Sequence, residues 1–239
     1  MKSKPTIGFV ITCHYSDDIR PDGQRFLDRL LTSIDRYVES NHKIYIIDNG
    51  SDKELKYTNS DKIHYTKITD QFELGLTGAW NIGLDLAAKD NCDIIIQCND
   101  DLWFNQTINI FIDTIIESDN EDIVYCPMTN GVLTPPQLSN GPGIGTMKLN
   151  CKGWGSVPNG FFFGFTNNHY NKYKFEENKY FNVNNKHNNN DGKWGGQEGQ
   201  FIESADKGLY GLLIKECFVH HDKLRSWKEG KKRDDRKSK

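Results

Sequence analysis

The sequence predicts an α/β fold: a central, mostly parallel sheet with helices on both faces and a loop-rich second half. Three observations carry this. Apolar runs of strand length recur and end in polar turns holding Asp, Asn or Gly. Segments of helical period lie between them. The run Ile94-Ile95-Ile96 has no polar face, as a strand covered on both sides requires. Strands alternating with helices close into parallel pairs.

The elements follow in order. Ile7 to Thr12 is the first strand. Pro21-Asp22-Gly23 opens a helix whose inward stripe is Phe26, Leu27, Leu30, Leu31, Ile34, Tyr37 and Val38. Lys43 to Ile47 is a second strand and stops at Asp48-Asn49-Gly50-Ser51, a turn signal. Ile63 to Thr66 is a short third strand, and Leu76 to Lys89 a second helix buried along Leu76, Trp80, Leu84 and Ala87. Asp93 to Cys98 is a fourth strand. Asn105 caps a third helix carrying Ile108, Phe111, Ile112, Ile115 and Ile116 inward. Ile123 to Cys126 is a further strand. From Pro127 to Gly160, Gly and Pro predict an irregular loop, and Phe161 to Thr166 resumes as a strand. Asn167 to Lys193 reads as a polar, Asn-rich loop. Gln197 to Lys207 is a short helix closed by Gly208, and Leu212 to Val219 a last strand ending at His220-His221.

With 239 residues, 36% of them hydrophobic, the chain holds enough for one α/β domain, expected over 1–225, with a basic tail over 226–239. Mean hydropathy is −0.70, and the strongest apolar segments come before residue 130. A formal net charge of −3 gives no field for nucleic acid, so none is expected as partner. The run from Lys228 to Lys239 reads as a solvated tail or as peripheral contact with an anionic membrane. Cysteines at 13, 92, 98, 126, 151 and 217 form no CxxC pair, which suggests reduced thiols and a cytoplasmic setting. The first apolar stretch reads as a strand and not as a leader, and no run reaches the roughly 20 residues of a membrane span.

The chemistry concentrates where strands end. Asn99-Asp100-Asp101 follows a buried strand at the carboxyl edge, where open α/β sheets bind ligands. Two adjacent carboxylates there fit a hard cation shared with a phosphate, or an Asx turn capping the next helix. Asp48 can accept from a ribose hydroxyl or a base N–H, or begin its turn. Gly75 and Gly78 allow backbone to approach a ligand, and Asn81 is an amide on an apolar helix that needs partners. Glu198 begins a helix, where the dipole favours its ionised form and a general-base role. His220 and His221 point to opposite sides of their strand, and His220 is the favoured metal ligand. Trp154 and Trp194 offer faces to sugar rings, whereas Phe161, Phe162 and Phe163 read mainly as core. The opening loop TCHYSDDIRPDG lacks the glycine pattern of a dinucleotide site. There is also no P-loop, no G-x-G-T-R opening and no hydrolase elbow.

The order of these pieces resembles the GT-A glycosyltransferases, family 2 most closely, over residues 6 to 221. The matching segments are TCHYSDD, IYIIDNGS, GLTGAWNIG (Gly75 to Gly83), NDD in place of a DXD motif, GGQEGQF and VHHD. The resemblance implies a nucleotide-sugar half over 1–126 and an acceptor half over 127–225. It sets the nucleotide-sugar against Thr12, His14, Tyr15, Asp48, Gly50, Gly78, Asn81, Asn99 and Asp100. Asp101 and His220 then hold Mn2+ or Mg2+, with Asp100 as ribose contact or second ligand. Glu198 is the catalytic base, and Trp154, Trp194 and Gln197 meet the acceptor. The implied reaction moves a sugar, from a UDP-sugar by expectation, to a hydroxyl of a glycan or glycoconjugate with inversion. Asn99 and Gln197 depart from the usual acids of the family. They keep open a non-catalytic carbohydrate- or nucleotide-binding protein on the same fold.

Overall fold

The computed structural model describes residues 4–58, 60–69, 71–131, 135–184 and 196–222. Its strands are β1 (Ile7–Cys13), β2 (His42–Asn49), β3 (Ile63–Ile68), β4 (Ile94–Asn99), β5 (Leu102–Phe104), β6 (Ile123–Thr129), β7 (Thr146–Leu149), β8 (Phe162–Thr166) and β9 (Tyr210–His221). They form one sheet in the order β3-β2-β1-β4-β8-β6-β9-β5, with β7 added on β9. The helices are α1 (Gly23–Tyr37), α2 (Gln71–Lys89), α3 (Ile108–Ser118), α4 (Asn167–Tyr173) and α5 (Gly199–Ala205). The expected parallel sheet is the β3-β2-β1-β4 half. Beyond it the sheet is mixed: β8 runs antiparallel to β4 and β6, and β9 is parallel to β6 but antiparallel to β5 and β7.

Strand alternation sorts the core into two layers. Phe9, Ile11, Ile94 and Ile96 pack with Leu27, Leu30 and Ile34 of α1 and Phe111, Ile112 and Ile115 of α3. Val10 and Ile95 point the other way, onto Trp80, Leu84 and Ala87 of α2 and onto Tyr170, Tyr180, Phe181 and Phe201. Every residue of β1 is buried, as a central strand flanked by helices must be. Each such large apolar side chain contributes about 1.5–3 kcal/mol relative to exposure.

Several local expectations change. The third helix begins at Ile108 with Thr107 as its cap residue. Asn105 instead braces the preceding turn, its Oδ1 accepting from the Thr107 N–H at 3.0 Å and hydroxyl at 2.7 Å. Ile116 is 37% exposed because it lies off the 108/111/112/115 stripe. In α2 the helical run expected from Leu76 is preceded by a turn, and the two meet at Gly75, whose φ of 66° suits glycine. The Asn-rich segment contains α4, whose Thr166 cap accepts from the His169 N–H at 3.1 Å. His169, Tyr170 and Tyr173 bury its inner side. β5 and β7 were also unforeseen. The six cysteines are buried and unbridged. No described helix is long and apolar enough to cross a membrane.

Candidate active site

The carboxyl ends of β1, β2 and β4 come together. Cys13 pairs with Asp48 and Thr12 with Asn99, so β1 ends between the two acidic strand ends. The Cys13 thiol feels both: burial pushes it up first, then Asp100 and Asp48. Asp100 and Asp101 are 3% and 2% exposed. Arg20, from the loop after β1, reaches both. Its Nε and Nη2 donate to the two Asp100 oxygens at 3.3 and 2.5 Å, and Nη2 lies 3.3 Å from Asp101 Oδ2. The charge compensation that the sequence assigned to a cation is thus supplied in part by the chain itself.

His221, not His220, faces the acids. Its Nε2 is 3.5 Å from Asp101 Oδ1 and its Nδ1 lies 2.9 Å from the Gly131 carbonyl oxygen. His220 turns away and stacks on Trp103 at 3.6 Å. This follows from register: β5 sets Leu102 opposite His221 and Trp103 opposite His220, and neighbouring residues of a strand face opposite ways. Among the described residues no three His, Cys, Asp or Glu side chains form a metal cage. Asp101 and His221 do form a neighbouring oxygen–nitrogen pair. That fits Mn2+ or Mg2+ drawing its remaining ligands from phosphate and water.

Glu198 joins the same rim through two residues. Its Oε1 accepts from the Gly160 N–H at 2.8 Å. Next in the chain, Phe161 accepts from the Asn99 N–H at 2.9 Å and stacks its ring on His221 at 4.8 Å. Gly160 cannot carry a side chain, since a Cβ would come within 2.6 Å of Trp80 and 2.9 Å of Glu198 Oε1. Glu198 is the residue just before α5, not in its first turn. Burial pushes its carboxyl above the ordinary glutamate range, partly offset by backbone N–H donors.

Other expected site residues are spent on the frame. Asp48 is fully buried: Oδ1 accepts from the Ser51 N–H at 2.9 Å and Oδ2 from the Tyr65 hydroxyl at 2.6 Å, with Gly50 at φ 70° in the turn. His14 is buried with Nδ1 3.0 Å from the Asn49 carbonyl oxygen and Nε2 3.0 Å from Ser16 Oγ. Tyr15 is half-buried, beside the ammonium of Lys53. Thr12 is buried at the end of β1. Asn81 gives both ends of its amide to Phe181, donating to its carbonyl at 2.9 Å and accepting its N–H at 2.8 Å. Gly78 serves close packing in α2, where a Cβ would meet Leu74 Cβ at 2.6 Å. Gln197 is buried and donates to Thr77 Oγ1 of α2 at 2.8 Å. Trp154 is 44% exposed on a 3₁₀ turn. Trp194 and the tail over 226–239 lie outside the described residues.

The residues that sequence reasoning missed are Arg20, Phe161, Thr77 and His221 as the acid-facing histidine. Arg20 offered one signal, a lone cation in an otherwise acidic loop after a buried strand.

The model of glycosyl transferase family 2 matches residues 10–190, so Glu198 and His221 lie beyond it. No curated protein matches the chain. Among solved structures, S. aureus TarS 1–349 shares the fold with a TM-score of 0.59 at 12% identity, over 90% of this chain and 60% of that one. The same fragment in complex with UDP-GlcNAc gives 0.56 at 12% identity, over 90% and 58%. TarS itself gives 0.55 at 11%, over 94% and 38%. The chain therefore spans less than two thirds of each of these. With a family match over more than half its length and this sheet behind it, the chain belongs to glycosyl transferase family 2.

Proposed function

We propose that the chain transfers a sugar from a nucleotide-sugar, a UDP-sugar, to a hydroxyl of a saccharide or glycoconjugate, with inversion at the anomeric carbon. The observation that carries this is the Gly160–Phe161 link, which sets Glu198, Asn99 and the Asp101–His221 pair on one rim. The likeness to a fold seen with UDP-GlcNAc supports a UDP-linked donor. Six buried, unbridged thiols suit a reducing compartment, the cytoplasm. The tail over 226–239 is taken as a solvated segment, with peripheral contact to an anionic membrane as the alternative.

In this reading Arg20 orders Asp100, and Asp101 with His221 would hold Mn2+ or Mg2+, which would supply positive charge against a departing diphosphate. Asp48 and His14 fix the Asn49–Ser51 turn and the loop after β1, against which the nucleoside lies. Glu198 takes the proton of the acceptor hydroxyl as that oxygen attacks the anomeric carbon, in a single in-line displacement. Burial raises its proton affinity, which suits a base, and the Gly160 N–H keeps one oxygen aimed. Trp154, 44% exposed, is the aromatic assigned to the acceptor.

The test is a pair of variants. Asp101→Ala and Glu198→Gln each abolish transfer, but only the first strongly weakens Mn2+-linked UDP binding in titration calorimetry. A Glu198→Gln protein that still turns over would remove the base assignment. Carbohydrate binding with no response to UDP would favour the non-catalytic reading.

A further inference from the structure

A shallow depression of about 670 Å³ opens between α1 and the β5–β9 edge. His221 turns inward to Asp101, and its neighbour His220 stacks on Trp103, which lines this depression. The floor is the Trp103 indole, stacked parallel on the His220 ring and 36% exposed on its other side. The wall is one face of α1, where Arg25, Arg29 and Arg36 recur at helical spacing. Arg25 reaches Asp22 at 3.3 Å and lies over the Phe26 ring at 5.0 Å, and Arg36 lies over the Tyr37 ring at 5.4 Å. Arg29 lies 4.0 Å from Asp222 and over the Phe26 ring at 5.6 Å, and its buried Nε and Nη2 have no hydrogen-bond partner. The one acid lining the depression, Asp28, already accepts from the Gln24 amide at 2.7 Å.

We infer that this depression binds a saccharide carrying a phosphate. A guanidinium fork matches phosphate oxygens, and three of them along one wall concentrate positive charge in a chain whose net charge is −3. An exposed indole packs against the C–H face of a sugar ring. The volume falls in the range of small-molecule sites and is too small for a folded partner. Trp103 and His220 lie on the strand face opposite to His221, which meets Asp101, so a ligand on the indole is a second one and not the donor. Its ligand is either a free sugar phosphate or a phosphate-bearing unit of a longer saccharide.

The test follows the Trp103 indole N–H by NMR in the full chain, with Trp103→Phe assigning the signal. Glucose 6-phosphate shifts it saturably. Glucose alone does not, and sodium phosphate binds more weakly. Glucose as its methyl phosphodiester separates an internal phosphate from a terminal one, and binding of either supports the site. Arg29→Gln and the exposed Arg36→Gln each weaken binding about tenfold, while Asp101→Asn leaves it unchanged. The readout is binding, so a failure of transfer activity does not touch it. No saturable shift, equal binding to the arginine variants, equal affinity for sodium phosphate, or loss in Asp101→Asn would each overturn the inference.

Discussion

Two neighbouring carboxylates that are almost wholly shielded from water repel each other, and Arg20 is what the fold sets against them. Removing one partner from such a buried group leaves charge uncompensated, which costs about 3–5 kcal/mol. Arg20→Gln is therefore expected to lose stability of that order in urea unfolding, and a variant as stable as the parent would contradict the role. Glu198 carries a pH signature. A carboxyl whose pKa is higher folded than unfolded contributes stability below its unfolded value and loses that contribution as pH rises through the folded value. Glu198→Gln should then melt higher than the parent near pH 7, with the gap closing as pH falls through the ordinary glutamate range. The transfer rate has the opposite dependence, since it needs the ionised form, and its acid limb should lie above that range. At this scale the sequence made legible that Asp101 follows a buried strand and that Glu198 opens a short helix. Arg20 was not, because its partners lie 80 positions away and nothing local marks the pairing.

Helix α2 is the element that locates Glu198. Thr77 holds Gln197, next to the proposed base, and Asn81 one turn further along α2 holds Phe181. Thr77→Val should lower kcat roughly ten- to a hundredfold, as small displacements of a reacting group do, with the donor KM unchanged. A larger change in KM than in kcat would place Thr77 in donor binding instead. The motif Gly75 to Gly83 was legible as a special helix, but its purpose was not. Periodicity shows that Asn81 is a buried amide and cannot show that its partner is a backbone a hundred residues on. The missed β5 and β7 have the same origin, since strands of three and four residues gain their identity from β9 and not from their own pattern. α4 escaped because its Asn-rich polar positions masked the three residues that anchor it.

For the whole molecule, β8 joins the parallel half of the sheet to the mixed half, pairing with β4 on one side and β6 on the other. Gly164 is the point where all three meet, and a Cβ there would come within 2.9 Å of Phe111 and 3.0 Å of Ile115. Gly164→Ala should cost about 1–3 kcal/mol through overpacking. Because the sheet is continuous, unfolding followed by tryptophan fluorescence and by far-UV dichroism should coincide, whereas separate transitions would mean two independent halves. The α/β class was legible from alternation, and the antiparallel joins were not, since strand direction in the second half is set by long connections with little periodicity. The most direct measurement is the anomalous scattering of Mn2+ in a crystal grown with UDP and Mn2+. The account predicts a single strong peak in the coordination shell of Asp101 with His221 beside it, and the diphosphate on the rim that holds Glu198. A peak that leaves Asp101 bare, or a diphosphate bound away from Glu198, would contradict it.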